Sequence, residues 1–205
     1  MSHLNEELQS LFIHLPKCAG CSLGSIPWNK GSGHDSVADF EERGELDKAS
    51  FVWTFVRNPW ERILSAYEDC PEIFDEAPTF DFFIRRIHAN RKELEGIKSL
   101  RFTSVPRFGF STGRIHFQPM HLLLSDRSGK IRTDFVGRVE NLQEDFDQVS
   151  DRLGVPRSKL PHQNRRAEKP NRRTSRAGDL YTPELADLVG EIYAGDLDLF
   201  PYSPP

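Results

Sequence analysis

Cysteine is scarce: Cys18, Cys21 and Cys70 are too few, and odd in number, for a disulfide framework, and they suit a reducing compartment. No apolar run approaches the ~20 residues that cross a bilayer. Met1 to Ser10 is polar and acidic and lacks the apolar core of a signal peptide. These absences lead to the expectation of a cytoplasmic protein with no membrane span. Positive charge is not in excess either. The formal net charge is −4, which argues against a general nucleic-acid partner. No internal repeat or low-complexity linker divides the chain, so residues 1–205 read as a single domain. No set of His, Cys and carboxylate residues has metal-ligand spacing, so no metal is expected. Oligomeric state is left open.

What is present is material for a core. Hydrophobic residues make up 37% of the chain, and Phe, with 15 copies, far outnumbers Tyr and Trp. Leu11 to Leu15 is a short apolar run ended by Pro16 and reads as the first strand, with a helix expected to start at Ser22. Asp35 or Ser36 can cap a helix reaching about Leu46, with Val37 and Phe40 on one face. Phe51 to Val56 is continuously apolar, the pattern of a strand covered on both faces in a parallel sheet. Helices are expected over Trp60 to Asp69, behind Pro59, and from Thr79 through Phe83, Ile84 and Ile87. Met120 to Leu124 and Phe135 to Val139 read as strands on either side of an Asp126–Gly129 turn. Asn141 can cap a helix over Leu142 to Leu153 that Gly154 ends, and Thr182 a last one with Pro183 at its first position.

Strands alternating with helices give an α/β class with a central, mainly parallel sheet flanked by helices. In such sheets ligands bind beyond the carboxyl ends of the strands. Lys17 and Arg57 each follow a strand directly, so both should reach one rim. The first loop, Pro16 to Ser22, offers a cationic Lys17, a glycine that lets an anion approach, and backbone N–H groups at a helix start. It is not the nucleoside-triphosphate loop, because no Gly-Lys-Ser/Thr closes it. Taken alone it is equally a plain strand–helix turn with an exposed lysine. The second loop presents the Arg57 guanidinium, which matches a phosphate bidentately, with Ser65 two turns into the next helix. Taken alone, Arg57 could instead pair with Glu61.

The two loops together resemble a known family. Phe12-Ile13-His14-Leu15-Pro16-Lys17-Cys18-Ala19-Gly20-Cys21-Ser22-Leu23 is similar to the 5′-phosphosulfate loop of the sulfotransferases related to the carbohydrate and heparan-sulfate enzymes, the family 2 type. Phe55-Val56-Arg57-Asn58-Pro59-Trp60-Glu61-Arg62-Ile63-Leu64-Ser65-Ala66-Tyr67 closely resembles their 3′-phosphate motif. Asp134 to Leu142, Leu160 to Asn164 and Asp196 to Tyr202 resemble later landmarks in the same order. The resemblance implies a P-loop-like three-layer fold and a sulfuryl donor, 3′-phosphoadenosine-5′-phosphosulfate (PAPS), leaving as PAP. It implies that Lys17 steadies the leaving phosphate, while the backbone of Cys18, Ala19, Gly20, Cys21, Ser22 and Leu23 and the Ser22 hydroxyl hold the phosphosulfate. It assigns Arg57 and Ser65 to the 3′-phosphate. The basic stretch Arg165 to Arg176, Arg173 included, could close over the nucleotide or be a solvated charge run.

The family usually carries Thr or Ser where this chain has Cys18 and Cys21, and Cys is a weak hydrogen-bond donor. Oxidation of the Cys-x-x-Cys pair should distort the loop and block donor binding; equal donor affinity in reduced and disulfide-bonded protein would count against that. Transfer to a hydroxyl or amine needs a base, and His34, in the glycine-rich segment where related enzymes place a histidine, is the first choice. A surface loop histidine is the plainer reading. His116, His121 and Glu140 are weaker candidates, Glu140 because a buried pair with Arg138 is simpler. His14 reads as structural. A small-molecule or carbohydrate acceptor is the expected partner, but the residues do not name it: a sugar, a lipid, a small metabolite and a peptide tyrosine all stay open. The competing functions are a phosphotransferase with a divergent phosphate loop and a degenerate module that binds nucleotide or polyanion without turnover.

Overall fold

The computed structural model describes residues 2–31, 33–69, 77, 79–95, 114–161 and 180–205. Four strands form one sheet in the order β1 (His3–Asn5), β2 (Ser10–Ile13), β3 (Phe51–Val56), β4 (Phe135–Arg138). β1 is antiparallel to β2, whereas β2, β3 and β4 run parallel. The helices are α1 (Gly20–Leu23), α2 (Val37–Glu42), α3 (Pro59–Asp69), α4 (Phe80–Ala89), α5 (Arg91–Glu95), α6 (Met120–Leu124), α7 (Leu142–Leu153), α8 (Pro183–Ile192) and α9 (Ala194–Leu199). The expected α/β class, a mainly parallel sheet flanked by helices, is the class observed. The described chain divides into two compact units.

Among the described residues, the first unit takes in 2–31, 33–57 and 122–161 and carries the sheet. All six residues of β3 are buried, as a parallel strand covered on both faces requires. Phe12 stacks on Trp53 at 4.3 Å between ring centroids, and Trp53 donates its indole N–H to Ser10 Oγ at 2.9 Å. Phe146 and Val149 of α7 close that face of the core together with Leu23 and Leu160. Gly137 in β4 has no alternative, since a Cβ there would lie 2.6 Å from Phe55 Cε1. β2 stops at Ile13 rather than Leu15, because the Thr54 hydroxyl donates to the Ile13 carbonyl at 2.7 Å and the His14 N–H turns to Ser2 Oγ. The helix behind Ser36 has the full reciprocal cap with Asp39, but it ends at Glu42, before Gly44 at φ 66°, instead of running to Leu46.

α7 has the bounds expected, with Gly154 in the left-handed conformation at its end. Its cap differs. Asn141 makes no capping bond; Asp145 instead reaches back to the Arg138 N–H at 2.6 Å across a 3-10 turn over Val139–Asn141. The Asp126 turn forms as expected: the carboxylate accepts from Ser128 N–H, Ser128 Oγ–H and Lys130 N–H, and Gly129 takes φ 90°. The Ser128 hydroxyl foremost holds the Asp126 carboxyl down at about 2. β1 is an element the polar N-terminus did not announce.

The second unit is helical where it is described. Thr79 Oγ accepts from Phe82 N–H to start α4, and Phe80, Phe83, Ile84 and Ile87 bury its apolar stripe against Leu185, Val189 and Ile192 of α8. Thr182 and Pro183 start α8 as expected. Met120 to Leu124 is a helix, not a strand. The buried carboxylate of Asp196 accepts from the N–H groups of Met120 (2.8 Å) and His121 (2.7 Å), so it caps α6 from a point 75 residues and more along the chain. Tyr193 is fully buried, and burial pushes its phenol well above the ordinary range.

Candidate active site

β2 and β3 end side by side, with Ile13 opposite Thr54, so residues 14–19 and Arg57 leave the sheet at the same carboxyl rim. They touch there: Arg57 Nη1 donates to the Lys17 carbonyl at 3.4 Å. At that length the bond is weak, but it joins the two loops, guanidinium to backbone carbonyl. The convergence expected from strand ends alone is thus observed.

The loop backbone is unusual in a way the residue types did not signal. Lys17 (φ 68°) and Ala19 (φ 59°) are both left-handed; among the described residues Gln9 alone of the other non-glycines has a positive φ. Each costs of order 1 kcal/mol for a residue with a Cβ. Such turns bring successive N–H groups to one side of the chain and make an anion-binding concavity. The helix that follows starts at Gly20, not Ser22, and lasts four residues. So short a helix adds little dipole, and the local amides and Lys17 are what an anion would meet. Leu23 and Cys18 are buried at 0% and 1% exposure, so any contact they make with an anion is through backbone. Cys21 is exposed and Ser22 is buried.

Gly20 serves a purpose beyond the one its type suggests. A Cβ on Gly20 would lie 1.7 Å from His14 Nε2, so the His14 ring occupies the space that the missing side chain leaves. His14 is 7% exposed and follows β2 rather than sitting within it. Its ring faces His34, with 4.5 Å between centroids. Ser2 ties this corner together: its hydroxyl donates to the Asp35 carbonyl (2.7 Å) and accepts from His14 N–H (2.9 Å), and its own N–H donates to Gly33 (3.2 Å). Lys17, Arg57 and His34 therefore share the first unit with the loop backbone. Ser2 did not stand out in the sequence, because β1, which it precedes, was not expected, and His14 read only as structural.

The remaining candidates fall elsewhere. Ser65, 9% exposed, lies in α3 and belongs to the second unit, so its part in the site rests on the resemblance. His121 contacts Asp196 through Nδ1 at 2.7 Å, an arrangement already used to hold α6. His116 sits in a 3-10 turn over Arg114–Phe117. Glu140 is exposed and Arg138 half-buried, so Glu140 stands at the surface of the first unit. Arg173 and the rest of 162–179, His162 to Asn164 included, lie outside the described residues, as do Cys70 and 96–113.

A sequence profile of the Sulfotransferase family matches residues 32–203. This chain belongs to that family. The matched span holds the Arg57 motif and not the Lys17 loop, whose membership rests on its own residues and on the bond to Arg57. Human carbohydrate sulfotransferase 8 is 27% identical over 195 residues, covering 85% of this chain and 45% of that protein. The chain thus spans less than half the length of this sulfotransferase relative. No solved structure matches. The expected cytoplasmic location is corrected here. The relative is a carbohydrate sulfotransferase more than twice the length of this chain, so a polar start and the want of a spanning helix among the described residues do not place a family member in the cytoplasm.

Proposed function

We propose that this sulfotransferase moves a sulfuryl group from PAPS to a hydroxyl or amine of its acceptor and releases PAP. The observation that carries the reading is the junction of the two motif loops, Arg57 Nη1 on the Lys17 carbonyl at the shared rim of β2 and β3. The donor set suits a ligand with two anionic ends: an ammonium and left-handed turns on one loop, a guanidinium on the other. Lys17 and the amides of Ala19 to Leu23 would take the phosphosulfate, with Lys17 holding the charge that grows on the leaving phosphate. Arg57 would take the 3′-phosphate, and the resemblance adds Ser65 there and Arg173 over the nucleotide. His34 would accept the acceptor proton at neutral pH. Catalysis in this scheme comes from alignment and charge stabilisation, as in phosphoryl transfer. A carbohydrate is the first acceptor class to test, since the matched relative bears that name.

Calorimetric titration of the reduced protein with adenosine 3′,5′-bisphosphate and with ADP, without magnesium, tests the donor site. Binding should favour the 3′-phosphate, and Arg57→Ala should abolish the preference, a loss of about 1.5–3 kcal/mol for a charged hydrogen-bonding group. Equal binding of the two nucleotides, or none, would overturn the reading. Salt-sensitive binding of polyanions would then favour the binding module.

A further inference from the structure

We infer that His14 is a positioning residue that sets the donor loop and His34 as one unit; this rests on the donor-site reading above. The argument starts from space. The His14 ring fills the place of a Gly20 side chain, closely enough that a Cβ would overlap Nε2 at 1.7 Å. On its other side it meets the His34 ring at 4.5 Å and a tilt of 31°. Phe12, in the core, lies 6.1 Å away by ring centroid and backs it. A ring that is 7% exposed and held among these groups cannot turn without moving either the loop or the imidazole it faces. The backbone confirms the coupling, because the Ser2 hydroxyl bridges the His14 N–H to the Asp35 carbonyl next to His34. A strand-end histidine in a phosphosulfate loop thereby does two things that a small residue cannot. It fixes how far Gly20 stands from the sheet, and it sets the orientation of His34 toward whatever the loop holds.

The test follows the histidine rings of the whole 205-residue chain by NMR while adenosine 3′,5′-bisphosphate is titrated in, for wild type and His14→Ala. In wild type, saturating nucleotide should shift the ring signals of both His14 and His34. In His14→Ala, nucleotide should bind roughly tenfold more weakly, and the His34 signals should no longer respond at saturation. Wild-type affinity in the variant with an unchanged His34 response overturns the inference. Should His14→Ala fail to fold, the wild-type titration still decides: binding that leaves His34 silent overturns it. Absence of nucleotide binding to wild type would instead overturn the donor-site reading, a separate and recognisable failure.

Discussion

Gly20 shows how one missing side chain can be read in two ways. By type it is a residue that lets an anion approach; in place, it is also the residue that makes room for His14. The two demands are compatible because a glycine has two open faces, and the His14 ring takes one. Gly20→Ala should therefore cost about 1–3 kcal/mol through overpacking against a ring that has little freedom to move. Combining it with His14→Ala should restore part of that stability, because the clash and the void lie at the same point and the two changes do not add. Denaturant midpoints of the two single variants and the double variant check this. Strict additivity would show that the ring does not occupy the glycine's space. Lys17 and Ala19 carry the converse lesson, since nothing in a lysine or an alanine signals a left-handed backbone. Their conformations follow from the loop that must join β2 to α1, and so they were not legible in advance.

Among the elements, those set by local chemistry were legible and those set by a distant partner were not. β3 is marked by a run of five apolar residues and the β-branched Thr54, α4 by Thr79 and its apolar stripe, and α7 by its length and by Gly154. Each carries its own start, stop or period. α6 carries none. Met120 to Leu124 is a short apolar run that fits a strand or a buried helix equally, and Asp196 selects the helix by taking two of its first N–H groups. Asp196→Ala should cost about 3 kcal/mol or more, because a fully buried acceptor of three hydrogen bonds is removed and two amides and His121 Nδ1 lose their partner. Asp196→Asn should cost less, since one oxygen remains to accept. Thermal melts with far-ultraviolet dichroism measure both. Equal stability of wild type and the alanine variant would mean that α6 needs no cap.

For the molecule taken whole, the two compact units make a further expectation. Lys17, Arg57 and His34 lie in the first unit, so nucleotide should protect that unit most directly. At a concentration 100 times Kd, a ligand that binds only the folded state adds about 2.7 kcal/mol. For a chain of this size that raises Tm by roughly 5–10 °C. Scanning calorimetry with and without adenosine 3′,5′-bisphosphate reads the shift, and no shift at saturation would deny a folded nucleotide site. The residue order alone carried the α/β class, the buried parallel strand, the two motif loops and their meeting at one rim. All of these depend on neighbours in sequence and on the rule that strand ends face ligands. Folding in three dimensions settled the left-handed loop, the packing of His14 on Gly20 and His34, and the capping of α6 by Asp196. The side-chain contacts among these span 6 to 76 residues, selected by which groups packing brings together, and no local preference encodes them.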